Sequence, residues 1–181
     1  MNLFLWGALP YIAFTFLIVG TLVRFFYFER NWTTKSSQFL EKKQLRIANP
    51  LFHFGLLCVI GGHVVGVLVP KTWTAAMGIN DHMYHEGALY MGAVAGIIFI
   101  VGFLLLMKRR FTVPAMKVNT SGFDKWLYLF LTLAIFSGMA GTLLNASGFF
   151  DYRVSIGPWF RSLLSFMPDP SLMEGVPFMF K

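Results

Sequence analysis

The sequence predicts an all-α membrane protein, a transmembrane bundle with four helices, and two observations carry this prediction. Hydrophobic residues make up 56% of the 181 residues and charged residues only 13%, whereas a soluble domain carries about a quarter charged residues. The chain also contains four apolar runs, each near the roughly 20 residues that a helix needs to cross a bilayer. These runs span residues 3–27, 50–69, 87–107 and 126–146.

The first run is long enough to span a membrane and has no basic segment before it, so we interpret it as a transmembrane helix and not as a signal peptide. Pro10 lies within this run and predicts a kink. Pro50 predicts that the second helix opens there, because proline is tolerated in a first turn. Residues 147–173 hold glycine, proline and a short amphipathic stretch, which predicts an interfacial helix after helix four.

The distribution of basic residues predicts how the chain is oriented. The first and third joints between the runs are rich in lysine and arginine, and these residues are Arg30, Lys35, Lys42, Lys43, Arg46, Lys108, Arg109, Arg110, Lys117 and Lys125. Basic joints face the cytoplasm, so we expect the N-terminus and the segment after helix four to lie outside. The basic residues behind the formal charge of +7 are therefore explained by the orientation of the chain in membrane lipid, and no nucleic-acid partner is expected.

Two histidines, His53 and His63, lie inside the second run. Ionisable residues within a span indicate function by default. Ten residues of α-helix place the two side chains about 80° apart around the axis and about 15 Å apart along it. Neutral imidazole is a usual axial ligand of haem iron, and Gly62 and Gly66 would let a flat macrocycle approach the backbone. The pattern favours two haems, one near each leaflet.

Other roles for these histidines stay open. Each could form a hydrogen bond between helices, and Gly62 with Gly66 is also a small-residue packing pattern. A bis-histidine haem needs a second ligand, and the remaining histidines, His82 and His85, lie in the outer joint. The second ligands must then come from another helix. A metal site at His82 and His85 is an alternative that we disfavour. The single cysteine, Cys58, excludes an internal disulfide.

At this point the sequence resembles the gamma subunit, a b-type cytochrome, of respiratory membrane-bound nitrate reductase. The resemblance covers residues 10–181, and we interpret residues 1–181 as one domain of this type. The segments that carry it are Pro10-Tyr-Ile-Ala13, Trp32 with Ser36-Ser-Gln38 and Leu40, Leu51-Phe-His53, Gly62-His63 with Gly66, Leu106-Met-Lys-Arg-Arg110, Thr120-Ser-Gly-Phe-Asp124 and Gly175-Val-Pro-Phe-Met-Phe-Lys181.

The resemblance implies five transmembrane helices and two b-type haems. The second helix gives one axial ligand to each haem, so His53 would serve the inner haem and His63 the outer one. The fifth helix gives the other two ligands, and residues 1–181 end before its first histidine would appear. We therefore expect the chain to be C-terminally incomplete and, by itself, unable to give either haem two histidines.

The resemblance also implies a function in the prokaryotic cytoplasmic membrane. Quinol is oxidised at the outer haem, and electrons pass through the inner haem to a cytoplasmic iron–sulfur (beta) subunit. They then reach a molybdenum (alpha) subunit that reduces nitrate. The family's first cytoplasmic joint docks the iron–sulfur subunit.

Further site residues are candidates at the two ends. His85 and Glu86 could accept quinol protons in the outer joint, with an exposed interfacial turn as the alternative. Arg109 and Arg110 could pair with haem propionates at the inner end, with positive-inside anchoring as the alternative.

Two other functions compete with this one. Related dihaem cytochromes serve sulfite-reduction and heterodisulfide-type complexes, although the loop from Trp32 to His53 favours nitrate reductase. A haem-free membrane anchor is the third hypothesis, and visible absorption would distinguish it from the other two. A transporter is disfavoured, because we find no paired repeats and almost no charge within the spans.

Overall fold

The computed structural model describes residues 2–28, 37–148 and 151–176, and within them helices joined by turns and short irregular segments occur without strands. The α-helices in chain order are α1 (Leu9–Tyr27), α2 (Lys43–Leu68), α3 (Lys71–Ala76), α4 (Asp81–Thr112), α5 (Pro114–Val118), α6 (Gly122–Ala146) and α7 (Ile156–Leu164). A π-helical turn, Phe4–Ala8, precedes α1, and 3₁₀ turns occupy Ser37–Phe39 and Pro170–Met173. Trp32 and residues 177–181, which contribute to the resemblance, lie outside the described residues.

Four of the described helices are long and apolar enough to cross a membrane: Phe4–Tyr27, Lys43–Leu68, Asp81–Thr112 and Gly122–Ala146. The predicted all-α transmembrane bundle is therefore confirmed. Most of its apolar surface faces outwards, and α1 buries no residue at all. Such surface suits a lipid environment, where the hydrophobic effect does not require side chains to be hidden inside the protein.

The second helix begins well before its apolar run. The carboxylate of Glu41 accepts the backbone N–H groups of Gln44 at 2.8 Å and Leu45 at 3.3 Å, which satisfies donors that a helix start leaves unpaired. Helix α2 therefore starts at Lys43, and Pro50 lies inside it. The prediction that Pro50 opens this helix is wrong, because the helix begins at the polar cap formed by Glu41 and not where the apolar run begins.

Capping also extends the other long helices. The Asn80 side chain accepts the backbone N–H of Met83 at 2.8 Å, so residues 81–86 form the first turns of α4 and not an interfacial turn. Ser121 and Asp124 form a reciprocal capping box at the start of α6. Both helices consequently reach beyond the apolar runs predicted for them.

The most intimate packing lies between α2 and α4, where two glycines allow the backbones to touch. A Cβ built on Gly55 would lie 2.5 Å from the backbone nitrogen of Phe99, and one on Gly102 would come still closer to that of Phe52. The rings of Phe52 and Phe99 lie 5.1 Å apart beside this crossing, and Phe103 is buried next to them. The crossing fixes α2, which carries both histidines, against α4.

Helix α7 contacts the N-terminal end of α1 and the C-terminal end of α2, and it lies in the region where the sequence predicted an interfacial helix. The Trp159 indole N–H donates to the carbonyl of Trp6 at 2.8 Å, and the Tyr11 hydroxyl donates to the carbonyl of Leu163 at 2.7 Å. Arg161 donates to the carbonyl of Val67 near the end of α2 at 2.6 Å. A π-helical turn, Phe4–Ala8, precedes Pro10, and the kink expected at Pro10 stays a prediction.

Ion pairs show which joints share an end of the bundle. At one end, Arg109 pairs with Glu41 and Arg110 pairs with Asp124, which joins the first and third joints. At the other end, Lys71 pairs with Asp81 at 3.6 Å and Asp151 at 2.9 Å, which joins the second joint to the segment after α6. The long helices therefore run up and down, as the distribution of basic residues predicts.

Candidate haem site

His53 and His63 each anchor one ring nitrogen to their own helix. Nδ1 of His53 lies 2.9 Å from the carbonyl of Asn49, and Nδ1 of His63 lies 2.7 Å from that of Val59. A carbonyl can only accept, so Nδ1 is the donor in both contacts, and in a neutral imidazole bonded in this way Nε2 keeps the free lone pair. A hydrogen bond from the second ring nitrogen is the arrangement that orients a metal-binding histidine.

Both imidazoles lie on exposed positions of α2, and neither Nε2 has a partner among the described residues. Interhelical hydrogen bonding, the other role considered for them, is therefore not seen in the described part of the chain. Their separation is about 15 Å along the axis at 1.5 Å per residue, so the two lone pairs are presented at different depths of the same helix.

The residues present fit a haem at each histidine. A b-type haem needs a neutral imidazole with a free nitrogen, and both side chains supply one in a fixed orientation. The surroundings of His63 are open, because a Cβ built on Gly61 or Gly62 would have no neighbour within 4 Å. This unobstructed stretch of backbone can accept a flat macrocycle.

Gly66 has a different environment from Gly62. It is buried, and a Cβ built on it would lie 3.1 Å from Cε2 and 3.2 Å from the hydroxyl of Tyr152. The ring of Tyr152 thus occupies the space that a side chain at position 66 would fill. The expectation that Gly66 borders a haem stays a prediction. At Gly62, by contrast, the space beside the backbone is open, since a Cβ there would have no neighbour within 4 Å.

Arg109 and Arg110 already have carboxylate partners within the chain. Arg109 is buried and donates to Glu41 Oε2 at 2.7 Å, to Ser37 Oγ at 3.1 Å, and to the carbonyls of Ser37 and Glu41 at 2.8 Å each. Arg110 donates to Asp124 at 2.7 Å. A propionate would therefore have to compete with a carboxylate at either guanidinium, although Nε of Arg110 is buried without a partner in the described residues.

The Glu41 carboxylate is stabilised in its charged form. The backbone N–H of Gln44 has the largest effect and lowers the pKa of Glu41; desolvation opposes it, and the hydrogen bond from Arg109 lowers the pKa further. Glu41 is consequently ionised at physiological pH, and it holds the Ser37–Glu41 segment against the end of α4.

His85 and Glu86 lie in the first turns of α4, at the end of the bundle opposite Arg109. Glu86 is exposed and lies 3.6 Å from Nε2 of His82, and His85 is half-buried. Their role as proton acceptors stays a prediction. No group of three metal-binding side chains occurs within the described residues.

Comparison with known proteins decides the family. Residues 2–181 match the family model described as nitrate reductase gamma subunit. The chain belongs to this family. It is 46% identical over 178 residues to the nitrate reductase gamma chain of Bacillus subtilis, covering 98% of this chain and 80% of that protein. It is 28% identical over 183 residues to the respiratory nitrate reductase 1 gamma chain of Escherichia coli, covering all of this chain and 81% of that one.

A nitrate reductase-like protein of Mycobacterium tuberculosis is also similar, at 38% identity over 179 residues. The match covers 97% of this chain but 28% of that longer protein. Together these relatives confirm the predicted resemblance and the coarser functional prediction, a multi-pass membrane subunit of a nitrate reductase complex.

The gamma-family chain also contains a polar cluster that the sequence analysis did not identify as a site. Arg153 is buried, donates to Thr74 at 3.0 Å, pairs with Asp81 at 3.5 Å and lies 3.6 Å above the ring of Tyr84. Tyr152, its neighbour in sequence, packs on Gly66. Arg153 and Arg161 lie far from the basic joints, and this isolated position was the signal that could have pointed to the cluster.

Proposed function

We propose that the chain is the dihaem electron-transfer subunit of a quinol-oxidising nitrate reductase. His53 and His63 would hold the inner and outer b-type haems, each through Nε2. The observation that carries this proposal is the pair of Nδ1 hydrogen bonds, 2.9 Å at His53 and 2.7 Å at His63. With Nδ1 bonded in this way, Nε2 of each neutral ring is the nitrogen available to bind iron. No described residue forms a hydrogen bond with either Nε2.

The facing ligands must come from outside these 181 residues. The chain has four histidines, and His82 and His85 lie at the start of α4, beyond the level of His63. We propose that a further transmembrane helix supplies two imidazoles opposite α2. When bound, the two haems would carry single electrons between the faces of the membrane.

The orientation we propose places the N-terminus outside. The basic first and third joints lie at the end where Arg109 meets Glu41, and positive joints favour the cytoplasm. His53 is then the inner ligand and His63 the outer one. His85 and Glu86 would lie at the outer end, where either side chain can take a proton released from quinol.

The cytoplasmic end offers a surface suited to the iron–sulfur subunit. Phe39, Val118 and Phe123 are 97%, 88% and 88% exposed, and all three lie in or beside the basic joints. Large exposed apolar groups rimmed by charge are typical of a docking site. We propose that the iron–sulfur subunit binds here and passes electrons to the molybdenum subunit.

The test uses membranes in which the full-length gamma subunit is produced with its partner subunits. We expect two low-spin b-type haems per gamma chain, reduced by an added quinol and reoxidised by nitrate. If the added quinol does not reduce the haem, the proposal that this subunit oxidises quinol is overturned. A complex without b-type haem would overturn the cytochrome assignment and leave the anchor hypothesis. A haem-containing complex that reduces sulfite and not nitrate would favour the related complexes.

A further inference from the structure

Tyr152 occupies a notch in α2 one helical turn beyond His63. The notch exists because Gly66 has no side chain, and the tyrosine ring approaches the position of the missing Cβ to 3.1 Å. Residues three apart lie on the same side of a helix, so the ring covers the flank of α2 that also carries His63.

The segment that carries this ring is held against α4 through the next residue, Arg153. Burial raises the pKa of the Tyr152 phenol, and the neighbouring Tyr84 raises it further, so the hydroxyl stays neutral. The Tyr84 ring is itself covered by the guanidinium of Arg153 at 3.6 Å. Because Arg153 is anchored to Thr74 at 3.0 Å, the chain of contacts from α3 to Gly66 is continuous.

The turn that carries His63 has little other support among the described residues. Gly61 and Gly62 meet nothing within 4 Å of their Cβ positions, and His63 is exposed. Glycines also weaken a helix, by about 0.5–1 kcal/mol each relative to alanine. Beyond the crossing at Gly55, the outer half of α2 is held at Gly66 by Tyr152 and at the carbonyl of Val67 by Arg161.

We propose that Tyr152 is a positioning residue for His63, acting through the Gly66 notch and held there by the contacts of Arg153 with Tyr84 and Thr74. It keeps the outer turn of α2 in one place and keeps water from the flank beside the imidazole. This inference rests on the proposed function, because its readout is the haem that His63 would hold. It concerns the outer site only and leaves the inner site at His53 unaffected.

The test compares the two haems of one complex. A His63→Ala variant first identifies which low-spin electron paramagnetic resonance signal and which midpoint potential belong to the outer haem. Tyr152→Ala should then broaden that signal, because the ligand samples more orientations. It should also lower that potential, because water admitted beside the haem favours the oxidised, more highly charged state. The inner haem should keep its signal and potential.

A conservative variant separates the hydroxyl from the ring. Tyr152→Phe keeps the ring in the Gly66 notch, so the signal and the potential of the outer haem should stay closer to wild type than in Tyr152→Ala. Should Tyr152→Ala accumulate poorly, Gly66→Ala offers a second route, since the new methyl group must push the ring outwards. Tyr90→Phe is the matched control for loss of a hydroxyl, because Tyr90 is 69% exposed.

The outcomes distinguish this inference from the function on which it rests. An outer haem with wild-type signal and potential in Tyr152→Ala and Gly66→Ala would overturn the positioning role while the cytochrome assignment stands. Equal shifts in both haems would overturn it too, because they would report general loosening of the bundle. A wild-type complex without b-type haem would overturn the proposed function itself.

Discussion

Trp159 donates its indole N–H to the backbone carbonyl of Trp6 at 2.8 Å, four residues before Pro10. In a regular helix the N–H of residue 10 would bind this carbonyl, but proline has none to donate. Helix α7 therefore donates a hydrogen bond to the carbonyl of Trp6, in the π-helical turn before α1, which Pro10 cannot bind.

Trp159→Phe should leave the Trp6 carbonyl unsatisfied and lower the free energy of unfolding by about 1–3 kcal/mol. Thermal unfolding of the detergent-solubilised complex measures this loss. Trp73→Phe, at a position 66% exposed, is the matched control and should change little. In a Pro10→Ala background the restored N–H can bind Trp6, so the cost of Trp159→Phe should shrink. An unchanged cost there would contradict the role given to Pro10.

The crossing of α2 and α4 should tolerate no side chain at its glycines. Gly102→Ala places a methyl group against the backbone at Phe52, and the strain of overpacking should destabilise the protein by about 1–3 kcal/mol or more. Gly92→Ala is the control on the same helix, since its Cβ would meet nothing within 4 Å. Alanine there should be neutral or stabilising, because it favours helix. Equal stability of the two variants would show that the helices do not approach as described.

The Arg109–Glu41 pair should hold the first joint in a pH-dependent way. The pKa of Glu41 is lowered in the folded chain, chiefly by the N–H of Gln44. Its contribution is therefore fully present above the ordinary glutamate pKa of about 4.3. The contribution is lost as the pH falls through the lowered value. Hydrogen exchange of residues 37–45 should accelerate over that acidic range.

Substitution should remove this pH dependence. Glu41→Gln keeps the shape of the side chain but not its charge, so exchange in the joint should be faster at neutral pH and should change little on acidification. Lys108→Gln, at the exposed neighbouring position, is the control for loss of a charge and should behave as wild type. A joint that keeps its protection in Glu41→Gln would show that Arg109 holds it through the Ser37 contacts alone.

The orientation can be tested by labelling single cysteines in sealed cells. In a Cys58→Ser background, Thr72→Cys lies in α3 at the end we assign to the outside, and Lys117→Cys lies in the third joint. A membrane-impermeant thiol reagent should label Thr72→Cys in intact cells and Lys117→Cys after lysis alone. Both side chains are exposed, so access is not limited by burial. The reverse pattern would place the N-terminus in the cytoplasm.

Hydropathy predicts the four spans but not where their helices begin. Charged and polar residues flank each apolar run, and a hydropathy pattern treats them as joints. Asn80 and the Ser121–Asp124 box are recognisable caps in the sequence, and they place the starts of α4 and α6. Glu41 has no such signature, because glutamate is not among the residues preferred as N-caps and Glu41 lies one position before the N-cap, Lys42. The start of α2 could therefore not be placed at Lys43 from local sequence.

The sequence identifies the candidate haem ligands but not their surroundings. His53 and His63 are conspicuous because imidazoles are rare in apolar runs. Gly62 and Gly66 look alike in sequence, yet one is open and the other receives Tyr152. That difference arises from the segment after α6 folding back onto α2, which no local pattern encodes. The buried Arg153 cluster escapes prediction for the same reason, since it joins α3, α4 and the turn before α7.

Haem content after single histidine substitutions tests the central assignment most directly. The full-length gamma subunit is produced with its partners as wild type, His53→Ala and His63→Ala, and haem per chain is measured with the low-spin resonance spectrum. We predict two haems in the wild type. His53→Ala should lose the low-spin signal of the inner haem, and His63→Ala should lose that of the outer haem. His82→Ala, at the exposed start of α4, should keep both. Variants at His53 and His63 that retain both components would contradict the assignment of α2 as the haem-binding helix.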